Sequence, residues 1–184
     1  MDTEKALKAA KRKKRILILA PLLLFGFSLY VLILPVVVSG ESMMNTLHDG
    51  DFAFVSKTGL RHVHRFDIVV INSKKLNEKI VKRVIGLPGE TIEYKDDKLY
   101  VNGTYTKEDF LDPSWMTYQK TRLKDKRYTH NFKVTLGENQ YFCMGDNRLN
   151  SVDSRELGPF ERKDIIGRGG FILFPITHIK SMNQ

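Results

Sequence analysis

Ile16 to Leu34 reads ILILAPLLLFGFSLYVLIL, nineteen residues without a charge, and the apolar character runs on through Val38. A bilayer core of roughly 30 Å needs about 20 apolar helical residues, so this stretch is long enough to span one. In lipid the helix is forced, because no water is present to satisfy backbone groups. Pro21 lies near the start of the run, where a proline costs least. On the N-terminal side, residues 1–15 hold seven basic side chains against Asp2 and Glu4. A cleaved leader would have a shorter apolar region and a small-residue cleavage site, and Val38-Ser39-Gly40 matches that poorly. The buried helix of a soluble core is disfavoured by the cations at its entrance. The reading that remains is an uncleaved anchor over residues 16–38. Its cationic flank, residues 1–15, stays in the cytoplasm under the positive-inside rule, and residues 39–184 lie outside.

The charge count follows the same division. The chain of 184 residues has 30 Lys+Arg and 21 Asp+Glu, a formal net charge of +9. The first fifteen residues carry +5 of it and the other 169 only +4. The basic excess is therefore mainly a tail. A nucleic-acid-binding domain would spread basic residues over a folded face, so nucleic acid is not expected as a partner. The single cysteine, Cys143, excludes an intrachain disulfide framework and a cysteine-built zinc cluster, and it reads as a small core residue. Five histidines are scattered. His62 and His64 share a face if their stretch is a strand, but two ligands without a third make no metal site. Neither a metal nor a cofactor is expected.

Residues 39–184 are enough for one real core. Short β-like runs at Phe52–Val55, Asp67–Ile71, Lys79–Leu87, Thr91–Tyr94, Leu99–Val101, Lys133–Leu136, Tyr141–Met144 and Gly169–Phe174 are punctuated by turn residues such as Pro88-Gly89, Asp96-Asp97 and Asn102-Gly103. No long 3.6-residue apolar period follows the anchor, and residues 104–132 read as a polar excursion capping a β-core. The fold class is mainly β, with one transmembrane helix. Within it, Ile80-Val81-Lys82-Arg83-Val84-Ile85 embeds two cations in an apolar strand. Both could snorkel to water at an edge. Alternatively, a lysine held against apolar walls loses its charge, because desolvation disfavours the ammonium, and a neutral amine can act as a general base. Ser42, just past the span, is a hydroxyl it could activate, and Gly40 permits close backbone approach nearby.

Four segments in order make the sequence resemble the type I signal peptidases, in the form found in Gram-positive bacteria. Ser42-Met43-Met44-Asn45-Thr46-Leu47 resembles that family's nucleophile box, Asp67-Ile68-Val69-Val70 its second box, and Lys82 to Glu90 its general-base box. Gly145 to Arg155 resembles its last box. The resemblance implies a membrane-bound serine endopeptidase that removes N-terminal signal peptides from secreted preproteins after Ala-x-Ala-like motifs. Ser42 would be the nucleophile and Lys82 the base. Ser151 would orient the lysine amine, and Asp153 with Arg155 would support the site. The implied partners are preprotein signal peptides, membrane lipid and a nearby secretion translocase, at a single-pass cell-membrane location. Two positions depart from the pattern. Asn45 stands where the box usually has proline, giving up stiffness and gaining donors, and Gly40 stands where some relatives place a serine donor for the oxyanion. A membrane-anchored binding domain without catalysis is the competing expectation. A soluble Ser/Lys self-cleaving repressor would need a DNA-binding module that this chain does not show.

Overall fold

The computed structural model describes residues 2–182. The chain divides after Ile33 into two units. The first is one helix, α1 (Asp2–Leu32). Its Arg12–Leu32 portion is long and apolar enough to cross a membrane. Its described side chains lie open to the surroundings. The helix extends N-terminally through the basic stretch, so that Pro21, near the start of the apolar run, sits in the helix interior.

The apolar run read as residues 16–38 has two conformations. Helix ends at Leu32, and Ile33–Val37 forms strand β1. Pro35 accounts for the change: it disfavours helical backbone at the residue before it and removes a donor from any helix that continued. Flanking Ile33, Val36 and Val37 favour the extended form through their branched Cβ atoms. β1 is the end strand of its sheet, the place where a strand proline is tolerated.

The second unit carries the rest of the β structure. The strands are β2 (Phe52–Ser56), β3 (Ile68–Ser73), β4 (Glu78–Gly86), β5 (Thr91–Lys95), β6 (Lys98–Val101), β7 (Thr104–Thr106), β8 (Phe132–Thr135), β9 (Gln140–Met144), β10 (Phe160–Glu161), β11 (Ile165–Phe174) and β12 (Lys180–Ser181). The larger sheet runs β1-β2-β11-β3-β4-β9-β10, with β12 added to β11, and the smaller runs β7-β6-β5-β8. The eight expected runs are all strands. Asp96, Asp97, Asn102 and Gly103 take the positive φ that their hairpins need.

The excursion over residues 104–132 holds an unanticipated helix, α2 (Pro113–Leu123), and a four-residue turn of helix, α3 (Ser154–Leu157), begins within the end of the last box. The Asp112 side chain accepts from the Ser114 and Trp115 N–H groups, and Pro113 occupies the first turn, a standard helix start. Among its residues only Gln119 is buried, so there is no apolar stripe for a periodicity search to find.

Three clusters fill the interior. Val38, Met43 and Leu47 pack with Ala53, Val55, Ile68 and Val70. Cys143, as expected, is a core residue, packed with Ile80, Val84 and Ile165. Ile85, Ile92, Tyr94 and Met144 join the two sheets. β4 belongs to all this packing: it pairs antiparallel with β3 on one side and β9 on the other, with Lys82 opposite Val69 and Arg83 between Ile68 and Met144.

Candidate active site

Successive residues of a strand face opposite sides, so the sheet centre receives two cations, one on each face. On one face, Lys82 Nζ lies 2.7 Å from Ser42 Oγ, across 40 residues of sequence. Lys82 is only 4% exposed. Burial holds its amine below the ordinary lysine range, aided by the Arg155 charge and opposed by Asp153, Asp146 and Glu78. An uncharged amine at this distance can accept the hydroxyl proton. Here the structure differs from the snorkelling alternative: neither Lys82 nor Arg83 reaches water.

The segment carrying Ser42 is held from both ends. The Asn147 N–H donates to the Ser42 carbonyl at 3.0 Å, and Asn147 Nδ2 donates to the Glu41 carbonyl at 3.2 Å. Gly40 has φ +84° and open space where a Cβ would be, and its N–H donates to Asp49 Oδ1 at 2.7 Å. Its glycine therefore serves a left-handed turn rather than a close approach. Gly145 is the crowded one. A Cβ there would lie 2.2 Å from Ser151 Oγ and 2.4 Å from the Ser42 carbonyl oxygen, so nothing larger than glycine fits between these two serines.

Asp153 and Arg155 come together as a pair. Arg155 Nε and an Nη donate to the two carboxylate oxygens at 2.8 and 2.7 Å. Asp153 is fully buried, caps α3 through the Arg155 N–H, and accepts the Gly145 N–H at 2.9 Å. Burial alone would raise its pKa, but the Arg155 charge and these hydrogen bonds outweigh it and hold the carboxyl below the usual range. The other Nη of Arg155 donates to the Arg148 carbonyl at 2.7 Å, so the pair ties the last box to itself. Ser151 is the residue the hydrogen-bond network leaves out: its Oγ is buried and has no partner among the described residues. Asn45 Nδ2 donates to Asp112 Oδ2 at 3.2 Å, linking the Ser42 segment to the cap of α2.

The opposite face of β4 holds groups that sequence reasoning missed. Arg83 donates from Nε and Nη to both oxygens of Asp146, at 2.9 and 2.7 Å, with each residue 2% exposed. The Thr46 hydroxyl donates to the same carboxylate at 2.5 Å, and the Phe110 ring lies 4.0 Å from the guanidinium carbon. Arg148 is buried against Glu108 at 2.5 Å and donates to the Tyr94 hydroxyl at 2.9 Å and the Gly145 carbonyl at 3.0 Å. Arg83 could be flagged as a cation in an apolar strand. Its partner, 63 residues away, could not be read.

A groove of about 400 Å³ opens beside Ser42 and Lys82. One wall is residues 34–39, including edge strand β1, and another is residues 78–82 of β4. Its lining combines aliphatic side chains such as Val36, Val38, Ile80 and Val81 with the polar Ser39, Ser42, Glu78, Lys79 and Lys82.

The chain is similar to proteins of known family. Residues 12–174 match the family described as signal peptidase, peptidase S26. The chain is 39% identical over 170 residues to a signal peptidase I of Streptococcus pneumoniae serotype 4, covering 77% of this chain and 82% of that one. It is 40% identical over 157 residues to signal peptidase I S of Bacillus subtilis strain 168, covering 81% of each. The crystal structure of a signal peptidase I from Enterococcus faecalis V583 is similar with a TM-score of 0.50 and 37% identity, covering 58% of this chain and 95% of that one. With its mainly β fold and one N-terminal apolar helix, the chain belongs to the signal peptidase I family, the serine proteases that remove signal peptides.

Proposed function

We propose that this chain cleaves preproteins by a Ser42/Lys82 dyad. The observation that carries the reading is the 2.7 Å contact between Ser42 Oγ and a buried Lys82 amine. Neutral Lys82 takes the hydroxyl proton as Ser42 Oγ attacks the scissile carbonyl. The ammonium then gives that proton to the departing amine. Lys82, neutral again, activates the water that hydrolyses the acyl ester and returns Ser42 to its hydroxyl form. The Ser42 N–H is the donor we assign to the oxyanion, Gly40 having no side chain to offer. Ser151, whose buried Oγ has no hydrogen-bond partner among the described residues, is assigned the task of steadying the amine, and the Asp153–Arg155 pair that of fixing the loop around it. No step calls for a metal or a cofactor.

Substrate is proposed to bind extended along the groove, pairing with the free edge of β1 and presenting alternate side chains to shallow aliphatic walls. Small residues such as those of an Ala-x-Ala motif fit such walls. For the anchor, the net +5 of residues 1–15 favours a cytoplasmic N-terminus. Phe54, Phe171, Leu173, Phe174, Ile176 and Ile179 leave an exposed apolar surface on β2, β11 and the turns that follow, which suits contact with lipid. Preproteins leaving the translocase would then meet the groove at the membrane surface.

Cleavage of a preprotein by the full chain in detergent or lipid tests the dyad. Ser42→Ala and Lys82→Ala should each remove activity while leaving the circular dichroism unchanged. Processing at the wild-type rate by either variant rejects it.

A further inference from the structure

A second group of convergent side chains lies away from the dyad. The Ser42 segment ends in a tight turn, His48-Asp49-Gly50-Asp51, in which the Asp51 N–H donates to the His48 carbonyl at 3.1 Å and Gly50 has φ +82°. The turn leads into β2, which pairs with the end of β11 so that Phe52 lies opposite Phe174. Immediately beyond β11 the chain makes the short 3₁₀ turn Ile176–His178. The pairing therefore brings His178 back onto a turn more than a hundred residues earlier.

Three ligand-type groups meet there. His178 Nδ1 is 2.7 Å from Asp51 Oδ1, His48 Nδ1 is 3.9 Å from Asp51 Oδ2, and the imidazole centroids are 4.6 Å apart. One potential donor atom from each residue lies within 4.8 Å of the others. The Asp51 side chain is 1% exposed, fixed additionally by the His48 N–H at 2.8 Å, whereas both histidine side chains are 33% exposed. The carboxylate thus forms the floor of the cluster and the two rings its open rim. Burial and the neighbouring His178 and Lys180 hold the His48 imidazole below its ordinary pKa, against the pull of Asp51.

We propose that His48, Asp51 and His178 form a binding site for a divalent transition cation, Zn²⁺ being the best fit. Two imidazoles and a carboxylate select borderline metals over Mg²⁺ or Ca²⁺, which prefer all-oxygen sites. Zn²⁺ accepts such a set at about 2.0–2.2 Å in tetrahedral geometry, and with three protein ligands a solvent water would take the fourth position. Binding replaces the His178–Asp51 hydrogen bond with two metal bonds. The bound cation would cross-link the turn after the Ser42 segment to the C-terminal turn. This site is separate from His62 and His64, the pair that the sequence alone brought to notice.

The test is calorimetric titration of the full chain in detergent with ZnCl₂, together with visible absorption on titrating CoCl₂. One Zn²⁺ per chain is expected, with the absorption of low-symmetry Co²⁺. His48→Gln and His178→Gln should each weaken binding by at least about tenfold, since even outer-shell losses cost 10- to 100-fold. The double variant His62→Gln/His64→Gln should bind as wild type. Glutamine keeps a polar side chain beside Asp51, and circular dichroism of the metal-free variants checks folding; should one cluster variant not fold, the other carries the comparison. The site is rejected if wild type shows no binding up to millimolar Zn²⁺, if a folded cluster variant binds as tightly as wild type, or if affinity is lost with His62 and His64 instead.

Discussion

Lys82 and Arg83 are neighbours in one strand, both buried, and they occupy opposite electrostatic regimes. Lys82 faces a serine hydroxyl and a groove, and burial outweighs the Asp153, Asp146 and Glu78 charges that act on it. Arg83 faces a carboxylate that it grips through two nitrogens, under an aromatic ring. A lysine can shed its proton when buried, whereas an arginine in a protein does not. The residue types match their sides: the cation proposed to become neutral is a lysine, and the one gripped by a bidentate carboxylate is an arginine. A buried pair of that kind is strongly destabilising to break. The comparison assigns chemistry to the Lys82 side and integrity to the Arg83 side, with the segment from Ser42 to Thr46 touching both.

The largest expected effect breaks the Lys82 side. Ser42→Ala or Lys82→Met should lower the rate of preprotein cleavage by about 10⁴-fold or more, as loss of a nucleophile or base does in other serine proteases, with the urea-unfolding midpoint kept near that of wild type. On the Arg83 side, Asp146→Ala should cost about 3–5 kcal/mol of stability, because it leaves a buried guanidinium unpaired. Denaturant unfolding measures this. A double replacement by apolar residues of similar volume, Arg83→Met with Asp146→Leu, should recover part of the loss, which a purely catalytic role for the pair would not predict. Gly145→Ala acts on both sides at once. Its methyl group has to displace Ser151 and the Ser42 carbonyl, which should cost about 1–3 kcal/mol and lower kcat more than it raises KM.

The smallest effect is the pH dependence of stability. Lys82 has a folded pKa below its unfolded value near 10.5, so between those two values the unfolded state binds more protons and stability rises with pH. Lys82→Met should flatten that rise while leaving the acid side unchanged. Cleavage itself should rise with pH through the same folded value. A midpoint at or above the ordinary lysine pKa would contradict a desolvated base.

The β-core was legible because short apolar runs stand between turn signals, and the eight runs read from the sequence are strands. β1 was hidden within an apolar run, since hydrophobicity does not distinguish helix from strand; Pro35 and the branched residues beside it were the marks available. α2 was hidden for the opposite reason, having a cap and a proline at its start but no apolar face. In the site, the odd lysine could be read from residue types. Its pairing with Ser42, and the support from Asp153 and Arg155, came from resemblance to a family. Nothing local joins Arg83 to Asp146 or Arg148 to Glu108, because those contacts exist only once distant strands are side by side.

The pairing of β4 with β9 has a consequence for how this enzyme can vary. Those two strands are adjacent next to Lys82, yet residues 87–139, including the whole smaller sheet and α2, lie between them in the chain. The excursion leaves from and returns to neighbouring points, so it behaves as an insert in a closed loop. Doubling such a loop adds only about 0.6 kcal/mol of closure entropy. Descendants of this chain could therefore lengthen or shorten the surface turns of that insert, provided they keep the residues that pack it on the larger sheet: Ile92 and Tyr94 beside Ile85 and Met144, Phe110 over Arg83, and the Glu108 carboxylate that holds Arg148 and, through it, the backbone at Gly145.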